Sequence, residues 1–180
     1  AHVAGAHDPA LKRALREIGL DYARDIAVST QQVKALYAPL LARAPTGGVT
    51  LHSDLPYGSD PRQVLDLFIP QAAQGRLHGN DVVVFIHGGA FLRGAKCQPE
   101  GIYGNVLTWF ARQGFVGVNV EYRLAPQAPY PQGALDVAAA LEWVHAHIAE
   151  HGGNPQRILL IGHSAGGTHV ASHLLDPALQ

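Results

Sequence analysis

Three short stretches hold residues arranged for chemistry: His87-Gly88-Gly89-Ala90-Phe91, Glu121-Tyr122-Arg123-Leu124-Ala125-Pro126 and Gly162-His163-Ser164-Ala165-Gly166. The last has the form G-x-S-x-G and lies between a short apolar run, Ile158 to Ile161, and a helical pattern. A strand–turn–helix of this kind lifts a Ser hydroxyl above the sheet edge and presents it as a nucleophile. The flanking glycines answer a steric demand, because a side chain there would collide with neighbouring backbone in so sharp a turn. Ser164 would sit at a helix N-terminus, where N–H groups and the dipole favour negative charge. Phosphate-binding turns are also glycine-rich, but neither G-x-G-x-x-G nor G-x-x-x-x-G-K occurs here.

The His87 stretch follows another apolar run, Val82 to Ile86. Its glycines let backbone N–H groups approach a ligand oxygen. Acyl transfer needs such donors, because the tetrahedral intermediate places a full negative charge on the former carbonyl oxygen. One donor contributes roughly 2.7–4 kcal/mol to that step. The expected oxyanion donors are the N–H groups of Gly89 and Ala90, with Gly88 as a further one, plus Ala165 just after the nucleophile. His87 is expected to hold the loop in shape and not to act as general base.

In order and spacing, the three stretches resemble the α/β-hydrolase serine esterases of the hormone-sensitive-lipase type, over about residues 45–176. Ala90 stands where that family usually has Gly, which narrows the pocket slightly. The resemblance implies a serine carboxylesterase acting on small carboxylic esters. Aryl- and kynurenine-formamidases share both loops, so an amide substrate stays open. A catalytically inactive hydrolase-fold binding protein is the non-enzymatic alternative.

Composition agrees with a soluble globular chain: 180 residues, 47% hydrophobic and 15% charged. A net charge of −1 offers no basic field for nucleic acid or anionic membrane, and no apolar run is long enough to span a bilayer. The N-terminal Ala-His-Val-Ala-Gly-Ala-His lacks the regions of a signal peptide. The one cysteine, Cys97, cannot form an internal disulfide and suits a cytoplasmic setting as a passive thiol. No cofactor and no metal are expected.

Two helices should come first, one from Asp8-Pro9 to Gly19 and one from Ser29 or Thr30 with Val33, Leu36, Tyr37, Leu40 and Leu41 on one face. Residues 1–44 would form them, as a cap or an extra layer, and 45–180 the N-terminal part of the hydrolase domain. Val49–Leu55 and Gln63–Ile69 read as an antiparallel hairpin across a turn-rich linker, and 71–80 as a polar surface loop. The runs at 82–86, 115–120 and 158–161 read as buried strands. Helices are expected between them, from Pro99 to Gln113, with Ile102, Tyr103, Val106, Leu107 and Phe110 turned inward, and from Pro131 to His151. Strands alternating with helices mean a mostly parallel sheet with helices on both faces and ligands at the strands' C-terminal ends. Trp109 and Trp143 are expected to pack on helix faces, and Glu121 and Arg123 to brace the loop of Pro126, Pro129 and Pro131.

A Ser hydroxyl needs a His to take its proton and a carboxylate to orient that His, and in this fold both follow the Ser. His169, His173 and Asp176 fall on or just after the helix that starts at the turn, which carries them away from the hydroxyl. They are expected to pack or face solvent. A strand as apolar as 158–161 also wants a neighbour on each side. The chain is therefore expected to be part of a longer hydrolase, with the catalytic acid and base beyond Gln180. His147-Ile148-Ala149-Glu150-His151 matches H-x-x-E-H, a zinc-peptidase pattern, but a helix C-terminus before Gly152-Gly153 is a place for solvated imidazoles.

Overall fold

The computed structural model describes residues 8–71, 79–97 and 101–179. The expectations for the N-terminal seven residues, most of the 71–80 loop and the helix start at Pro99 lie outside them. The chain divides into two compact units, Ala1–Pro45 and Thr46–Gln180.

In the first unit, helix α1 (Pro9–Asp21) is followed by helix α2 (Ile26–Ala42). Asp8 caps α1 by accepting from Ala10 N at 2.8 Å. The helix runs through Gly19 to Asp21, beyond the expected stop. Asp25 caps α2, accepting from Val28 N at 3.0 Å, so the helix opens ahead of the Ser29–Thr30 start expected. Val33, Leu36, Leu40 and Leu41 are half-buried, and Tyr37 is exposed.

The second unit is built on a five-stranded sheet in the order β1-β2-β4-β3-β5: β1 (Val49–Pro56), β2 (Val64–Pro70), β3 (Asn80–Ile86), β4 (Val116–Val120) and β5 (Gly153–Gly162). β1 and β2 form the expected hairpin, closed by Tyr57 N donating to Gln63 O at 2.9 Å. β2 also runs against β4, and β3 is parallel to both β4 and β5. Four strands therefore share one direction and β2 alone opposes them.

The period-2 alternation of a strand divides the core between the faces. Val82, Val84 and Ile86 point to one side, with Val137, Ala140 and Val144 of helix α4 (Gln132–His147) and with Val170 of helix α5 (Ala165–Leu175). Val83 and Phe85 point to the other side, with Tyr103, Leu107 and Ala111 of helix α3 (Ile102–Arg112). Helices thus cover both faces, as expected. Past His147 the chain tightens into a 3₁₀ turn, Ile148–His151, so α4 is shorter than expected.

Two expectations need correction. The run at 158–161 is less buried than expected: Leu159 is 49% exposed. Among the described residues β5 pairs with β3 alone, so it lacks the second neighbour that so apolar a run wants. Trp109 is 53% exposed, touching Phe110 edge-on at 5.0 Å. The buried stripe of α3 runs through Tyr103, Leu107 and Ala111, and at 3.6 residues per turn position 109 points away from it.

Candidate active site

β5 leads into the turn with His163 N donating to Ile86 O at 3.0 Å, so the ladder with β3 extends to the start of the bend. Ser164 then adopts φ 53° and ψ −120°, a conformation rare for a non-glycine residue, and α5 begins at Ala165. The Ser164 side chain is exposed and makes no capping bond to its own helix. The neighbouring glycines are required by contact. A Cβ built on Gly166 would lie 2.3 Å from Ile86 O and 2.5 Å from His87 O; one on Gly162 would lie 2.5 Å from Gly167 Cα.

The loop after β3 lies against this turn. A Cβ built on Gly88 would stand 2.7 Å from His163 Nδ1 and 3.1 Å from Ser164 Cβ. Both glycine stretches therefore share one rim of the sheet, at the C-terminal ends of the parallel strands. Gly89 has φ 154°, and a Cβ there would meet Arg93 O at 1.6 Å; its own carbonyl accepts from Leu92 N and Arg93 N. Ala90 and Phe91 follow at φ 53° and 67°.

Of the four N–H groups singled out in the sequence, Gly88 N is engaged, 3.3 Å from Tyr103 Oη. The N–H groups of Gly89, Ala90 and Ala165 meet no acceptor among the described residues. Tyr103, missed in the sequence as anything but packing, also places Oη 3.1 Å from His163 Nδ1.

Beneath the loop lies a buried polar network. His87 is fully buried, stacked on Tyr122 at 4.3 Å, with Nδ1 2.8 Å from Gly88 O and Nε2 3.0 Å from Glu121 Oε1. Glu121 also accepts from Lys96 N at 2.9 Å and pairs with Arg62, whose guanidinium in turn donates to Gly94 O and Tyr122 O. Burial pushes the Glu121 carboxyl up, but the His87 hydrogen bond and charge, the Lys96 N–H and Arg62 outweigh it and hold the group below the usual range. Glu121 thus braces the His87 loop and not the proline loop, correcting the expectation. Arg123 does brace the latter, binding buried Asp136 of α4 through both backbone N and guanidinium.

Lys96 is buried with Nζ 2.6 Å from Asp66 and 2.8 Å from Asp54, a pair that closes the far end of the same loop. Cys97 is exposed, 3.5 Å from the Asp66 carboxylate; partial desolvation and that charge outweigh the neighbouring Lys96 ammonium and push its thiol up, away from the reactive thiolate.

His169 is buried under Phe91 (5.3 Å between ring centroids) and Tyr122 (4.9 Å), with Nδ1 unpartnered and its ring filling the space beside Gly133. It is a packing residue. His147 and His151 flank the Trp143 ring at 4.9 and 6.2 Å. No cluster of three metal-ligating side chains occurs among the described residues. Nor is any helix among them long and apolar enough to cross a membrane.

Residues 65–174, more than half of the chain, match the family described as BD-FAE. The chain belongs to the BD-FAE family. The matched span runs from β2 to the end of α5 and includes both glycine stretches. Among curated relatives, the acylcarnitine hydrolase of Mus musculus is 41% identical over 108 residues, 55% of this chain and 18% of that protein. The cocaine esterase of Oryctolagus cuniculus is 38% identical over 127 residues, 64% of this chain and 22% of that protein. The chain thus spans about a fifth of the length of these relatives. A solved bacterial heroin esterase superimposes with a TM-score of 0.64 at 33% identity, covering 95% of this chain and 53% of that one. Esterase B from Lactobacillus rhamnosis superimposes at 0.66 with 24% identity, over 95% of this chain and 52% of that one, a likeness of fold. The BD-FAE chain has the α/β-hydrolase fold.

Proposed function

We propose that this chain carries the nucleophile and oxyanion cradle of a serine carboxylester hydrolase for small carboxylic esters. The observation that carries the proposal is the exposed, strained Ser164 with the Gly88 loop pressed against it. Ser164 Oγ attacks the ester carbonyl carbon while its proton passes to an imidazole base. The carbonyl π pair moves onto oxygen, and the N–H groups of Gly89, Ala90 and Ala165 hold the resulting anion. The anion collapses, the C–O bond to the alcohol breaks, and the base returns the proton to the leaving oxygen. Water repeats the sequence on the acyl-serine and releases the acid.

Gly88 contributes shape and not a donor, since its N–H faces Tyr103. His87 holds the loop from beneath. Neither the base nor its orienting carboxylate is assigned to His169, which is buried in packing; in this fold both follow the nucleophile in the chain. A cytoplasmic setting is proposed on the single cysteine alone.

The test is reaction of the full-length protein with a fluorophosphonate, with the adduct mapped by peptide mass spectrometry, alongside hydrolysis of p-nitrophenyl butyrate. Modification at Ser164, and loss of both activities in Ser164→Ala, is expected. An unmodified Ser164 would sink the proposal.

A further inference from the structure

We propose that Tyr103 is a positioning residue: one hydroxyl, shared between Gly88 N–H and His163 Nδ1, holds the glycine loop in register with the serine turn. The inference rests on the serine-hydrolase reading above. Tyr103 is the second residue of α3, with its ring buried against Phe85 at 5.2 Å. That packing explains the ring but not the hydroxyl. Oη lies 3.3 Å from Gly88 N and 3.1 Å from His163 Nδ1, and His163 is 60 positions further along the chain.

The donor directions follow from the chemistry of the groups. A backbone N–H can only donate, so Oη accepts from Gly88. The hydroxyl proton is left free to point at His163 Nδ1 when that nitrogen carries none. Gly88 is itself buried, so its N–H has no solvent to fall back on. If Oη is removed, this N–H must find another acceptor, and the peptide planes that follow it rotate. Those planes carry the Gly89 and Ala90 N–H groups assigned to the oxyanion. Such donors act on charge that develops only in the transition state. Misaligning them should lower kcat and leave substrate binding nearly untouched.

The experiment uses the full-length protein and Tyr103→Phe, which keeps the buried ring. Expected are a roughly ten- to hundredfold fall in kcat on p-nitrophenyl butyrate, the scale of a small misplacement, and a KM within about twofold of the parent. The rate of phosphonylation by a fluorophosphonate should fall in parallel, because the phosphonyl oxygen occupies the same cradle. His163→Ala, at an exposed position, frees the same hydroxyl from its other end and should reproduce the kcat loss. The double variant should be no slower than Tyr103→Phe alone. If the parent protein is not phosphonylated at Ser164, the serine-hydrolase reading fails. If the parent is modified but Tyr103→Phe reacts at the parental rate, the positioning role is overturned. Two losses that multiply would also overturn it, as would a folded His163→Ala with parental kcat.

Discussion

Glu121 Oε1 lies 3.0 Å from His87 Nε2, and both side chains are buried beneath the glycine loop. The carboxylate is held by His87, Lys96 N, Tyr122 N and Arg62, and of these partners the Arg62 guanidinium alone reaches solvent. Glu121→Gln should lower stability by about 3 kcal/mol, the scale of breaking a buried pair from one side. The folded carboxyl is held below its ordinary value of 4.5, so its stabilisation is present above that pH and is lost as pH falls through the folded value. Denaturant unfolding at pH 7 and at pH 4 checks both points. The parent should lose stability between them, and Glu121→Gln should lose less.

Ser164 at φ 53° and ψ −120° carries backbone strain that a glycine would not. Strain of this kind costs on the order of 1–3 kcal/mol, and glycine returns part of the gain by loosening the unfolded chain. Ser164→Gly should therefore be about 1 kcal/mol more stable than the parent, whereas Ser164→Ala keeps the strain and stays near it. Thermal melts of both variants separate them, the glycine variant melting about 2–4 °C higher. Both should lose fluorophosphonate reactivity.

The sequence made the elements legible wherever a local pattern carried them. The apolar runs at 82–86, 115–120 and 158–161 became β3, β4 and β5, and the two glycine stretches met at one rim because both follow parallel strands. What stayed hidden was set by contact between distant segments. Tyr103 looked like one more apolar helix residue, since nothing at positions 102–112 reveals a partner at His163. The pairing of Lys96 with Asp66 joins a loop to a strand 30 positions away, and a lone Asp in an apolar run reads as a mere interruption. Glu121 was legible as a brace, but its partner was not: the strand end points it under the His87 loop, while Arg123 takes the proline loop. At the start of α2, three side chains could have capped within a few residues, and only the backbone path selects Asp25.

Two glycines set a contrast in cost. A Cβ on Gly166 would press on the carbonyl oxygens of Ile86 and His87, which are backbone and cannot move aside. On Gly104, within α3, the nearest atom is Phe68 Cζ at 3.9 Å, an ordinary contact. Gly166→Ala should destabilise by about 3 kcal/mol or more, through overpacking, and pull the serine turn off β3 with loss of activity. Gly104→Ala should instead stabilise by about 0.5–1 kcal/mol, the helix-interior preference for alanine, with activity unchanged. Urea unfolding of the pair measures the difference.

His169 offers the pH-dependent counterpart to Glu121, at higher pH. Burial beneath Phe91 and Tyr122 disfavours its charged form and lowers its pKa below the ordinary 6.5; Asp136 pulls the other way and His87 adds to the lowering. Between the folded and the ordinary value, the unfolded chain binds the proton more readily than the folded one. The stabilisation from keeping this ring neutral is thus complete above about pH 6.5 and declines as pH falls below it. His151, also lowered by burial, contributes in the same sense, so the informative quantity is the difference between parent and variant. His169→Gln removes the titration while keeping a side chain of similar length. Melting temperatures followed from pH 7.5 to 5.5 should fall more steeply for the parent than for His169→Gln. Parallel curves would mean that the buried imidazole takes up its proton without loosening its contacts with Phe91 and Tyr122.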